Sequence, residues 1–150
     1  MRISPTRSWS RRLAATAMAV AALTGVSACS STSPMSGSSS QATSQHMAAS
    51  DFASAMKAPG TIVLDVRTPA EFSAGHLPAA KNVDFEGTDF AAGIAALDKS
   101  ATYALYCHSG NRSGKAMEQM AAAGFTHLYD LAGGISAWQN MGGPMMTGGS

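Results

Sequence analysis

Thr102-Tyr-Ala-Leu-Tyr106 is a short apolar and aromatic run, and Cys107-His-Ser-Gly-Asn-Arg-Ser113 follows it without a break. The first five residues have the length and composition of a buried strand. Arg112 to Ala123 then supplies good helix formers and stops at Gly124, a residue type favoured just past helix ends. The thiol of Cys107 therefore stands where a strand bends into a helix. In an open α/β sheet, ligands bind at that carboxyl end.

The same alternation extends in both directions. Upstream, Thr61 to Val66 reads as a buried strand. Thr68-Pro69-Ala70-Glu71 is a capping box with proline in the first turn, so a short helix starts there and Gly75 ends it. Asp89 to Leu97 reads as a helix with Phe90, Ile94 and Leu97 on one face. Downstream come a strand over Thr126 to Leu131, a turn at Gly133-Gly134 and a last helix over Ile135 to Met141. Strands alternating with helices predict an α/β fold: a small open parallel sheet with helices on both faces. Phe72, Phe125 and Trp138 are expected in the core, His76 at a turn and His127 in a structural place on its strand. There is no internal repeat.

The loop after Cys107 is built of residues that let a backbone curl. Gly110 and Asn111 accept positive φ more readily than most. A curled loop turns successive N–H groups inward as an anion nest, and the helix beginning near Arg112 adds its positive end. Such surroundings favour the thiolate over the thiol. They would also hold a second negative charge on an incoming oxyanion or on a terminal persulfide sulfur. Arg112 offers a forked, permanent cation suited to oxyanions of sulfur or phosphorus. Ser113 is expected to donate to the thiolate, and His108 and Ser109 to border the site. An open, solvent-reachable sulfur is part of this expectation, and a sulfur sealed from solvent counts against an enzyme.

The two ends of the chain read differently from its middle. Met1 to Arg12 is basic, Leu13 to Gly25 is apolar and too short to span a bilayer as a helix, and Val26-Ser27-Ala28-Cys29 follows. That order resembles a bacterial lipobox, in which the Cys is lipidated and becomes the first residue of the mature chain. Several acyl chains on one residue hold a protein on a membrane more firmly than one. Ser30 to Gln45 holds eight Ser and two Thr in sixteen residues. This composition predicts a flexible tether spanning ~20–25 Å. The expected organisation is a signal peptide over 1–28, lipidated Cys29 and tether over 29–45, one domain over 46–144 and a flexible tail over 145–150. The expected location is an exported, membrane-anchored lipoprotein on a periplasmic or cell-surface face.

Charge and cysteine count narrow the function. Past residue 28 there are six Lys and Arg against nine Asp and Glu, a net charge of −3. No basic stripe remains, which argues against nucleic acid as a partner. The chain has two cysteines, so lipidation of Cys29 leaves Cys107 without a disulfide partner. An unpaired thiol outside the cytoplasm points to reactivity. Met141, Met145 and Met146 have poor spacing for copper and serve more economically as gap-fillers.

Three stretches, in order, resemble the rhodanese family. They are Leu64-Asp-Val-Arg-Thr-Pro-Ala-Glu-Phe72 running on through Gly75-His-Leu-Pro-Ala-Ala-Lys-Asn82, the loop Tyr106-Cys107 through Arg112-Ser113, and Tyr129-Asp-Leu-Ala-Gly-Gly-Ile-Ser-Ala-Trp138. Together they span most of residues 50 to 144. The resemblance implies a sulfurtransferase that moves sulfane sulfur from thiosulfate-like donors to cyanide or thiol acceptors through a Cys107 persulfide, with no metal or organic cofactor. It implies substrate contacts from His108, Ser109, Gly110, Asn111, Arg112 and Ser113, and a supporting ion-pair and capping network of Asp65, Arg67 and Glu71. Phosphatases and arsenate reductases that share this fold carry one more loop residue. The four residues between Cys107 and Arg112 favour sulfur. A non-catalytic binding module is the other alternative, and such modules usually lack the nucleophile.

Overall fold

Residues 43–148 are described by the computed structural model. The expected signal peptide, Cys29 and the tether as far as residue 42 lie outside the described residues. Along the described chain run β1 (Thr43–Met47), α1 (Ala49–Ala55), β2 (Thr61–Asp65), α2 (Pro69–Ala74), β3 (Lys81–Asn82), α3 (Phe90–Ala95), β4 (Thr102–Tyr106), α4 (Asn111–Ala122), β5 (His127–Leu131) and α5 (Gly134–Asn140). The strands form one sheet in the order β1-β5-β4-β2-β3, and every pairing is parallel.

Side-chain alternation along the strands builds two cores. Leu64, Tyr103, Leu105 and Leu128 pack with Phe90 and Ile94 of α3 and Ala116, Met117 and Met120 of α4. Val63, Ala104, Tyr106, Tyr129 and Leu131 pack on the opposite face with Phe52 of α1 and Ile135 and Trp138 of α5. Strand residues one apart point to opposite faces, so both faces need apolar cover. The connections through α3 and α4 advance one way along the sheet, and that through α1 the other. Right-handed crossovers then place their helices on opposite faces. Phe72, Phe125 and Trp138 are all buried, as expected.

The topology also positions the site. From β2 the chain moves outward to β3, then crosses back to β4 on the other side of β2. This reversal is the switch point at which an open α/β sheet has its crevice. Asp65 and Tyr106, the last residues of β2 and β4, are register partners. Cys107 and the Val66-Arg67 turn thus leave the sheet side by side.

Several expectations change. Strand β1 takes in Thr43, Ser44 and Gln45, which composition assigned to the tether. The strand is polar because it is an edge, with four of its five residues exposed. Helix α1 and the two-residue β3 were also not anticipated. The tail is fixed as far as Gly148: Met146 and His76 exchange backbone hydrogen bonds of 2.8 and 2.9 Å, and Gly148 N–H donates to Ser73 O at 3.2 Å. His76 stacks on Phe72 and shares a hydrogen bond with its carbonyl, which closes the turn after α2. His127 is exposed at the start of β5.

Candidate active site

Cys107 follows the central strand β4 and is 1% exposed. The loop beyond it bends at Gly110, whose φ of 96° lies in the left-handed region. Only glycine adopts that region without strain. A Cβ there would also stand 3.2 Å from Gly133 N. The bend aims Gly110 N–H at Cys107 Sγ, 3.1 Å away. Asn111 takes ordinary helical dihedrals instead, and α4 starts at that residue. One amide, not a full ring, is therefore bonded to the sulfur. Among the described residues, the N–H groups of Asn111 and Arg112 have no partner, as the first turn of a helix dictates, and neither has that of Ser109 just before it. The expectation of an open thiol is corrected in the same place: the loop covers Cys107, while His108, Ser109 and Asn111 are exposed above it.

The loop is held from behind by α5. Ile135 N–H donates to Cys107 O at 2.8 Å, and Ser136 N–H and hydroxyl both donate to His108 O, at 3.3 and 3.1 Å. Gly134 permits this approach. With φ of 59°, a Cβ on it would fall 2.5 Å from Cys107 O.

Arg112 is not free. Its guanidinium makes a two-pronged pair with Glu71, 2.8 Å on each arm, and a third bond of 2.9 Å to Glu86. These carboxylates raise its pKa further. Glu71 in turn accepts from Thr68 N–H and hydroxyl, completing the capping box of α2. One carboxylate thus anchors a helix start and the active-loop arginine together. The Arg112 bonds, acting against partial burial, and the Thr68 bonds hold the Glu71 pKa at about 2, down from 4.5. Since the folded value lies below the unfolded one, this contribution is complete above pH 4.5 and fades as pH falls towards 2. The urea midpoint of the wild type should drop through that window. Glu71→Gln should start lower and show a smaller drop, and equal slopes for the two would remove Glu71 from acid stability.

The supporting residues form two units rather than one network. Asp65, fully buried, accepts from Arg67 N–H at 2.9 Å and from Arg67 Nε at 2.9 and 3.0 Å. Arg67 reaches on to Gly75 O at 2.7 Å and lies over the Tyr106 ring. Asn82 Nδ2 donates to the carbonyls of Asp65 and Arg67, fixing the turn from outside. Ser113 is corrected too: it donates not to sulfur but towards Asp130 Oδ2 at 2.8 Å and Gly110 O at 3.1 Å. Asp130 also meets His46 Nδ1 at 2.6 Å. Sequence reading gave neither Asp130 nor His46 a role. The signal for Asp130 was present, because a lone acid within an apolar strand run demands a buried partner.

Beside the loop lies a depression of about 330 Å³ lined by Arg67, Glu71, His108, Ile135, Met145 and Thr147, among others. Its far wall belongs to the tail that composition made flexible. A more apolar cavity of about 530 Å³ lies by Met56, Ile62 and Trp138, and no residue from Cys107 to Ser113 lines it.

The family model described as the rhodanese-like domain matches residues 48–141. Thiosulfate sulfurtransferase GlpE of Pseudomonas fluorescens is 33% identical over 89 residues, covering 59% of this chain and 80% of that protein. Chloroplastic thiosulfate sulfurtransferase 16 of Arabidopsis thaliana is 40% identical over 91 residues, covering 54% and 76%. Among solved structures, a rhodanese-related protein from Thermoplasma volcanium superposes with a TM-score of 0.61 at 29% identity, covering 68% of this chain and 97% of its own.

Proposed function

This chain belongs to the rhodanese-like domain family, and from that membership we propose that it is a sulfurtransferase that carries sulfane sulfur on Cys107. The observation that carries the proposal is the placement of Cys107 Sγ under Gly110 N–H at the head of α4. An amide donor and a helix N-terminus both suit negative charge at this place, on the attacking sulfur or on the persulfide it forms. The relatives named thiosulfate sulfurtransferase support the same class.

In the first half-reaction the loop that covers Cys107 has to part so that the thiolate reaches and attacks the outer sulfur of thiosulfate. A new S–S bond forms, the donor's own S–S bond breaks, and sulfite leaves with the electron pair. The persulfide carries its charge on the outer sulfur, roughly 2 Å beyond Sγ. That atom, rather than the covered Sγ, is the one an acceptor meets. The free amides of Ser109, Asn111 and Arg112 stand at this end of the helix and suit the added charge. In the second half-reaction cyanide or a thiolate attacks the outer sulfur, and the Cys107 thiolate departs. A donor anion can pair with Arg112 through the guanidinium N–H groups that Glu71 and Glu86 leave unused. His108 and Ser109 border the entrance.

The basic, apolar and lipobox-like order of residues 1–29 supports work outside the cytoplasm on a lipid anchor at Cys29. The test of function is mass spectrometry after incubation with thiosulfate. One added sulfur on the peptide containing Cys107, removed by cyanide, is the expected result. An unmodified Cys107 peptide under conditions that load a known sulfurtransferase would overturn the proposal.

A further inference from the structure

We propose that the cavity beside α1 and α5, away from Cys107, binds a small anionic amphiphile, with its apolar chain inside and its charged head between Lys57 and Lys81. The cavity holds about 530 Å³, within the range of sites that take small molecules. Its walls include Met56, Ile62, Val63, Pro78, Trp138 and Met141. Water enclosed by such side chains finds few hydrogen-bond partners, so an apolar group that displaces it is favoured. Among the described residues two large apolar side chains are exposed, and Met141, at 46%, is the one on this cavity.

The walls are set before any ligand arrives. Trp138 is buried, and its Nε1–H donates to Pro144 O at 2.9 Å. Gly143 lies so near the indole that a Cβ on it would collide with the ring. The turn Leu77–Ala80 is closed by Ala80 N–H on Leu77 O at 3.2 Å. Ala79 holds the third place of that turn with φ of 59°, where glycine is the usual residue. It is the only non-glycine with positive φ among the described residues, and it lines the cavity. Glycine would relieve the strain and remove a methyl group from the wall.

Charge selects the head. Lys57 and Lys81 line the cavity and are exposed, and no acidic residue lines it. Among the described residues neither lysine is ion-paired. Past residue 28, acids outnumber bases by nine to six, so two unopposed lysines at one opening run against the charge of the chain. An anion placed there meets two cations beside an apolar wall. The occupant is a free molecule rather than a bilayer. The site is a hollow with one exposed large apolar side chain, Met141, whereas lying in a membrane surface takes an extended apolar face.

The probe is ω-bromoundecanoate, kept below its micelle concentration, because bromine quenches tryptophan only at close range. The chain has two tryptophans, so the full chain is used with Trp9→Phe and the emission of Trp138 is read. Saturable quenching is expected. Adding Lys57→Gln and Lys81→Gln should raise the half-quenching concentration about fivefold, the scale of two exposed ion pairs. Both lysines are exposed, so the fold is not at stake. The uncharged ω-bromoundecanol should bind both chains alike. The inference is overturned by an absence of saturable quenching, by equal half-quenching concentrations of the acid for the two chains, or by quenching from anionic vesicles of brominated phospholipid but not from the free acid. No sulfur is transferred in this experiment, so its outcome is independent of the thiosulfate test.

Discussion

Cys107→Ser is expected to lower sulfur transfer from thiosulfate to cyanide by at least about a thousandfold, the scale on which enzymes lose rate with their nucleophile, while the chain stays folded. The two side chains differ by one atom. The serine oxygen can still accept from Gly110 N–H, which lies 3.1 Å from the present sulfur. The carbonyl of residue 107 still receives Ile135 N–H. Little packing is lost, since a free cysteine in such a place behaves as a small hydrophobe. A serine hydroxyl, however, is a far weaker acid and nucleophile than a thiol. It also cannot form the persulfide that divides the reaction into two steps. Thiocyanate formation and the urea midpoint should be measured together. Residual turnover above a tenth of wild type, with an unchanged midpoint, would mean that the sulfur travels by another route.

This separation of chemistry from folding follows from how unevenly sequence encodes the two. The central strands were legible because β2, β4 and β5 are buried on both faces and so read as nearly continuous apolar runs. The capping box at Thr68 and Glu71 was legible because its two hydrogen bonds are local and need particular residue types. Strand β1 was not legible. Thr-Ser-Gln-His-Met has no apolar pattern, and its order comes from pairing with β5 over residues 43–47. The tail was misread for the same reason, since Met146 is held by a backbone bridge to His76, seventy residues earlier in the chain.

The site divides along the same line. Gly110, the bend and the helix start follow from local chemistry, and the structure keeps them. The partners of Arg112 and Ser113 come from residues 41 and 17 positions away, respectively. Sequence proximity suggested that both face the sulfur, whereas long-range carboxylates engage them. The family resemblance grouped Asp65, Arg67 and Glu71 as one network. Burial separates them, with Asp65 and Arg67 sealed at the sheet end and Glu71 on the surface of α2.

The sealed pair carries the largest stability effect. Arg67→Ala is expected to destabilise the chain by about 3–5 kcal/mol, the cost of leaving a buried charge without its partner. Asp65 is fully buried at the end of β2 and takes three hydrogen bonds from the Arg67 side chain and one from its backbone N–H. The side-chain bonds vanish in the variant, and so does the bond to Gly75 O that ties the turn to the end of α2. Adding Asp65→Asn should recover part of the loss. It removes the stranded charge, and an amide oxygen can still accept the remaining backbone N–H at residue 67. Partial recovery would identify the charge, rather than the missing contact area of the arginine, as the main cost. Urea unfolding of the two variants decides the matter: a loss below about 1 kcal/mol in Arg67→Ala, the range of surface pairs, or a double variant less stable than the single, would show that the turn beside Cys107 is held by something else.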